Sequence, residues 1–189
     1  MVRANVLVPL VAFLESTGAP VERLLDRAKV PRAVLADPER IMPLHLCMRF
    51  LDLAARMQGL PDLGLTVGLR TRFHELGTFA RLIRGAPTLH EALNRLIAAI
   101  SLHNSGELFW LAGHGEHAMI CHKYRLPDTF GSRQGRLFTV AMMIEAIRAV
   151  LGTRWNPDEV RLPSAEEPNR KRYEMSLARR LSARQTWKP

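Results

Sequence analysis

ELFWLAGHGEHAMICHKYRL, residues 107–126, is the stretch at which the hydrophobic pattern of the chain changes from helical spacing to short extended runs. Its two halves, 107–113 and 117–126, are rich in aromatic, large apolar and β-branched residues. A short segment containing glycine and histidine separates them. Such a pattern is typical of two antiparallel strands joined by a tight turn, so the stretch predicts a β-hairpin.

The residues before this hairpin predict helices, most of which begin next to a proline. Proline is tolerated in the first turn of a helix and ends a helix when it comes later. The segment between residues 31 and 43 predicts a loop with at most one turn. The predicted helices cover residues 4–16, the stretch from Pro20 to Pro31, the stretch after Pro43, a short stretch after Pro61, and residues 76–84.

RGAPTLHEALNRL, residues 84–96, contains the clearest helix start in the chain. Thr88 can accept a hydrogen bond from the amide three residues later, and Glu91 can reach back to the amide of Thr88, which is the pattern of a capping box. The following apolar residues recur at steps of three and four and predict one buried stripe. We expect this helix to support the core and to carry no chemistry. The stripe consists of Leu89, Ala92, Leu93, Leu96, Ile97 and Ile100.

A long helix and one more strand are predicted after the hairpin. Apolar residues at helical spacing run from residue 132 to residue 151, and Gly152 closes the helix. DEVRL, residues 158–162, has the pattern of a strand. Because helices come first and strands later, the order predicts an α+β fold, in which a helical N-terminal half packs on a small antiparallel sheet with a long helix.

The composition is that of one globular domain. The chain has 189 residues, of which 47% are hydrophobic and 24% are charged. Cys47 and Cys121 are too few for a disulfide framework and indicate a reducing cytoplasm. The apolar stretch 4–14 is too short to span a bilayer, so no membrane association is expected.

Positive charge is concentrated at the C-terminal end. The formal net charge is +9, and residues 161–189 contain eight basic and three acidic side chains but few large apolar ones. Such a segment is typical of a solvated, disordered tail. The sequence therefore predicts a folded domain over residues 1–163 and a basic tail over 164–189. Contact with nucleic acid through this tail is the alternative function.

The hairpin contains the histidine-rich cluster that a zinc site would need. Successive strand residues point to opposite faces, so His117 and Cys121 share one face, His122 lies on the other, and His114 belongs to the turn. Four converging ligands are therefore not expected, and neither a metal nor another cofactor is predicted. The sequence also lacks a nucleophile elbow, a phosphate-binding loop and a dinucleotide fingerprint, so no enzymatic activity is predicted.

The order of several short motifs resembles a known family. Gly64, Leu65 and Gly68 are followed by Gly77, by the helix start from Ala86 to Leu93, and by Trp155 and Pro157 before the last predicted strand. In this order and spacing the chain resembles the arabinose-binding-type N-terminal effector domain of the AraC family of bacterial transcription regulators. The resemblance covers about residues 4–163.

The resemblance implies a domain that senses a small organic effector, associates as a homodimer, and is followed by a separate region of two helix-turn-helix units that holds DNA. The last 26 residues are too few for such a region, so we expect no complete DNA-binding domain in this sequence and contact with DNA only through a region outside it. The sequence leaves open whether the chain was cut or is naturally short.

An effector pocket is expected between the hairpin and the long helix. Aromatic and methionine side chains with a few polar groups suit a small organic ligand. The alternative is that these side chains only fill the core, which is the usual fate of apolar residues. The candidate ligand-binding residues are Phe109, Trp110, Met119, His122, Tyr124 and Met142.

Overall fold

The computed structural model describes residues 1–83, 85–114, 117–125, 131–162 and 180–183. Helices form most of these ranges, and short strand pairs and a long helix complete an α+β fold, as the sequence predicted. The strands are β1 (Val2–Arg3), β2 (Ile41–Met42), β3 (Glu107–His114), β4 (His117–Tyr124), β5 (Glu159–Leu162) and β6 (Arg180–Ala183). The α-helices are α1 (Val8–Ser16), α2 (Val21–Ala28), α3 (Ala33–Ala36), α4 (Leu44–Met57), α5 (Leu63–Gly68), α6 (Thr78–Ile83), α7 (Leu89–His103) and α8 (Ser132–Leu151), and 3-10 helices cover Ala4–Val6 and Phe73–Leu76.

The predicted hairpin is confirmed, but His114, which was expected in the turn, is the last residue of β3. Strands β3 and β4 are antiparallel, and their register runs from the pair Glu107 and Tyr124 to the pair His114 and His117. Strand β3 also packs against α7. One face of the hairpin turns toward α8, because Thr139 of that helix bonds to side chains of both strands.

Two further strand pairs were not predicted. Strand β1 pairs with β2 in an antiparallel register, and Val2 also bridges to Asn104 after α7. Strand β5 pairs with β6 in a parallel register. Of the predicted tail 164–189, the structure describes only β6, and the rest lies outside the described residues. The boundary at residue 163 therefore stays a prediction.

Prolines lie at the starts of three helices; the sequence predicted the starts at Pro20 and Pro43, whereas it placed the start of the first helix at residue 4. Pro9 lies in the first turn of α1, Pro20 precedes α2, and Pro43 precedes α4. Helix α2 ends at Ala28, before Pro31, because Lys29 adopts a left-handed conformation with a φ of 58°. None of the helices in the described part of the chain combines the length and the hydropathy that crossing a bilayer requires.

Helix α7 begins with half of the predicted capping box. The side chain of Thr88 accepts a hydrogen bond from the amide of Glu91 at 3.2 Å. The reverse bond is not formed, because the Glu91 carboxylate pairs with Arg95 one turn later in the helix. The prediction of a reciprocal box was therefore wrong in this half, and the threonine cap alone fixes the helix start.

Helix α8 packs backbone to backbone against α5. A Cβ atom at Gly64 would lie 2.0 Å from the carbonyl oxygen of Gln134, and one at Gly68 would lie 2.6 Å from the Cβ of Ala141. The Gly64 amide donates to Oε1 of Gln134 at 2.9 Å. Glycine is therefore required for this close approach.

The core has two parts that α8 joins. The main apolar cluster packs α2 against α4 and α6 against α7, with α8 lying across α4. A smaller cluster lies on the other side of α8 and includes Leu65, Ala141 and Leu162. The candidate site is a cavity inside the main cluster.

Candidate binding cavity

A cavity of about 70 Å³ lies between α1, α4, α7, α8 and the hairpin. A buried water needs only about 10–15 Å³ measured in this way, so the cavity has room for several waters or for a small organic group. Its walls are mostly leucine, phenylalanine, methionine, isoleucine and valine. The apolar lining includes Leu10, Leu44, Met48, Leu51, Phe79, Leu96, Ile100, Phe109, Phe138, Met142 and Met143.

One end of the cavity carries a chain of hydrogen-bonded side chains. The hydroxyl of Thr139 donates to Oε1 of Glu107 at 3.1 Å. The hydroxyl of Tyr124 lies 3.3 Å from that of Thr139 and donates to it, since the Thr139 proton is already used. Burial and the charge of Glu107 hold the pKa of Tyr124 well above its usual range, so this hydroxyl keeps its proton.

Among the described residues that line the cavity, Glu107 is the one that has a carboxylate. The residue is only 7% exposed, and no lysine or arginine in the described part of the chain forms an ion pair with it. A basic group, His122, lies beside it, with Nε2 at 3.6 Å from Oε1 of Glu107. This separation is longer than a hydrogen bond but within ion-pair distance, and Nε2 of His122 is itself buried without a hydrogen-bond partner.

His103, the last residue of α7, is a second polar group in the wall. It is 6% exposed, its ring stacks on Phe79 at 4.6 Å, and its Nδ1 has no hydrogen-bond partner. Burial lowers the pKa of His103 to about 4, and the charge of Glu107 opposes this effect only in part. The imidazole is therefore neutral at physiological pH and does not neutralise the carboxylate.

Cys47 of α4 also lines the cavity. Burial, with the charge of Glu107 as a smaller cause, raises the pKa of its thiol to about 12. The thiolate is the reactive form of cysteine, so Cys47 stays an inert, weakly polar part of the wall.

Gly135 of α8 provides part of the space in the cavity. A Cβ atom at this position would lie 2.7 Å from the Tyr124 hydroxyl oxygen and 3.0 Å from the sulfur of Met48. The glycine therefore allows the Tyr124 hydroxyl to lie against α8, where it reaches Thr139.

The candidate residues chosen from the sequence fall into three groups. Phe109, Tyr124 and Met142 line the cavity. The ring of His122 packs against Phe109 at 4.9 Å and Tyr124 at 4.8 Å but is not part of the lining. Strand alternation places Trp110 and Met119 on the opposite face of the hairpin, away from the cavity.

The polar lining residues Cys47, His103, Asn104, Glu107 and Thr139 were not among the candidates chosen from the sequence. The alternation of the strand offered one usable signal, since Glu107 and Phe109 are two residues apart and share a face. In the described part of the chain, no three His, Cys, Asp or Glu side chains are grouped so that they could hold a metal ion.

A mainly apolar cavity with a few converging polar groups, enclosed by helices and a hairpin, is the architecture of a small-molecule-binding domain. The family model described as the arabinose-binding domain of AraC transcription regulator, N-term, matches residues 18–187. The chain belongs to this family, which confirms the resemblance predicted from the motifs. The family is one of regulatory, ligand-sensing domains. No curated protein matches the chain.

Proposed function

We propose that this domain senses a small, mainly apolar organic effector that enters the cavity between the hairpin and α8. The observation that supports the proposal is the combination of apolar walls with the buried polar end formed by Glu107, Thr139 and Tyr124. The apolar walls favour the body of such a ligand, and the polar end orients it.

The family is named for arabinose, but the chemistry of this cavity favours a less polar ligand. A pentose carries a polar group on every carbon, and a hydroxyl buried without a hydrogen bond costs roughly 1–3 kcal/mol. Only a few polar side chains line the cavity, and the side-chain oxygen of Asn104 already accepts a bond from the amide of Gly106 at 3.0 Å. A ligand with one or two polar groups satisfies the site better.

Nuclear magnetic resonance of the full chain with labelled methionine methyl groups tests this proposal. Benzyl alcohol, which has an apolar ring and one hydroxyl, should shift the signals of Met48 and Met142, which line the cavity. Met119 lies on the other face of the hairpin and serves as the internal control. L-Arabinose should leave all three signals unchanged.

Two results would contradict the proposal. One is a shift at Met119 without a shift at Met48 or Met142. The other is a response of the cavity methionines to L-arabinose and none to benzyl alcohol.

A further inference from the structure

The polar end of the cavity contains a buried carboxylate whose basic neighbour is a histidine, not a lysine or an arginine, among the described residues. Glu107 is 7% exposed, and its Oε1 accepts a hydrogen bond from Thr139, which is a neutral group. Among the described residues no arginine or lysine pairs with it, and His122 lies beyond hydrogen-bond distance at 3.6 Å. A buried carboxylate that no permanently charged side chain pairs with is costly, so a cation that enters this site is favoured.

The surroundings of Glu107 also suit a cation. Phe109 and Tyr124 lie on the same face of the hairpin as Glu107, and aromatic rings attract cations through their negative faces. Nδ1 of His103 is buried in the same cavity wall without a partner, and this ring is neutral at physiological pH. A neutral imidazole does not repel a cation and has a nitrogen that can accept a hydrogen bond.

An anionic ligand meets no lysine or arginine in the described lining. A carboxylate or phosphate would lie in the same small cavity as Glu107. Like charges at such short separation repel each other strongly when water is excluded. A neutral ligand is tolerated but brings no positive charge to the carboxylate.

We propose that the effector is a small organic amine, whose ammonium group binds at Glu107 and whose apolar body lies against the walls formed by α4, α7 and α8. This inference rests on the proposed function, because it requires a ligand in the cavity. It goes further by assigning the charge of the ligand and the residue that recognises it.

Matched probes test the inference on the full-length protein. Benzylamine, benzyl alcohol and benzoate share one aromatic ring and differ in a cationic, a neutral and an anionic group. Binding is measured by the rise of the Tm at equal ligand concentration and ionic strength. We expect benzylamine to give the largest rise, benzyl alcohol a smaller one and benzoate none.

The variant Glu107→Gln removes the charge and keeps the shape of the side chain. In this variant we expect the affinity for benzylamine to fall by at least about tenfold, while that for benzyl alcohol changes little. Glu91→Gln is the matched control, because Glu91 lies in the exposed first turn of α7 and pairs with Arg95 away from the cavity. Its preference for benzylamine should equal that of the wild type.

The order of the three probes in the wild-type protein decides the inference even if Glu107→Gln does not fold. Stronger binding of benzoate than of benzylamine would overturn it, as would an amine preference that survives Glu107→Gln. Equal binding of benzylamine and benzyl alcohol would overturn the inference and leave the proposed function intact. Failure of all three probes to bind would overturn both.

Discussion

Burial of His103 makes the stability of the domain dependent on pH. The pKa of this residue is about 4 in the folded chain and 6.5 as the ordinary value, so the unfolded chain binds its proton first as the pH falls. Above pH 6.5 the protonation of His103 does not change the free energy of unfolding. As the pH falls from 6.5 toward 4, the free energy of unfolding decreases progressively. The shift corresponds to up to about 3 kcal/mol. In His103→Phe this part of the acid destabilisation should disappear.

Denaturant unfolding of wild type and His103→Phe over this pH range measures the effect. Phenylalanine keeps an aromatic ring against Phe79. The control is His90→Phe, at an exposed position in the first turn of the same helix, which should unfold with the pH dependence of the wild type. Parallel curves for wild type and His103→Phe would show that the imidazole is not held neutral.

Gly135 should control ligand affinity more than stability. In Gly135→Ala the new methyl group crowds the Tyr124 hydroxyl, while alanine favours the helix by about 0.5–1 kcal/mol over glycine. We therefore expect little change in the Tm and a loss of about tenfold in the affinity for benzyl alcohol, measured by calorimetric titration. A Cβ atom at Gly113 meets no atom within 4 Å, so Gly113→Ala is the control. Unchanged affinity in Gly135→Ala would separate this glycine from the ligand.

The side-chain types near the hairpin predicted a mainly apolar binding site, but they did not predict reliably which residues line it. Aromatic and methionine residues near the hairpin were chosen by chemistry, which identified Phe109 and Tyr124 as well as Trp110 and Met119. Chemistry alone cannot tell which face of a strand is covered. Glu107 and His103 were missed because acidic and imidazole side chains are usually exposed, and their burial depends on tertiary packing.

The start of α7 should matter for stability and little for binding. Thr88→Ala removes the oxygen that accepts the Glu91 amide, and loss of such a cap costs about 0.5–2 kcal/mol of unfolding free energy. Urea unfolding measures this change, and the affinity for benzyl alcohol should stay near that of the wild type. Thr153→Ala, in an exposed turn, is the control. Unchanged stability combined with lost binding would place Thr88 in the site.

The contact between α5 and α8 should tolerate no side chain. In Gly64→Ala the added methyl group meets the backbone carbonyl of Gln134, which cannot rotate away as a side chain would. We expect a loss of about 1–3 kcal/mol in unfolding free energy, the usual range for overpacking. Gly113→Ala again gives the matched comparison. A Gly64→Ala protein as stable as the wild type would mean that the two helices can separate at little cost.

Helices that begin at a proline or end at a glycine could be predicted from the sequence, and short strands could not. Proline at the start and glycine at the end located α4 and α8 closely. Strands β1 and β2 have two residues each, too few for an alternating pattern to appear. The parallel partner of β5 comes from residues 180–183, far along the chain, where the local charge indicated a solvated tail. Pairing over such a distance depends on the folded context.

The net charge of +9 predicts weak attraction of the whole chain to DNA. Charge alone gives binding that is indifferent to sequence and falls steeply with salt, because phosphate contacts release counterions. We expect mobility shifts with any duplex at low salt and none at physiological salt. A duplex from upstream of the chain's own gene and a scrambled duplex of equal length form the comparison. Tight, sequence-dependent binding at physiological salt would favour the alternative function, nucleic-acid binding through the basic tail.

Helix α8 lies between the cavity and the smaller apolar cluster. On one side Thr139 and Met142 line the cavity, and on the other Ala141 and Ile144 carry the cluster that includes Leu162 of β5. At Gly64 the backbones of α5 and α8 are in direct contact, and at Gly68 the methyl group of Ala141 packs against α5. Densely packed interiors transmit strain instead of absorbing it. A ligand that displaces α8 is therefore expected to displace β5 as well, so binding in the cavity changes the structure on the opposite side of the helix.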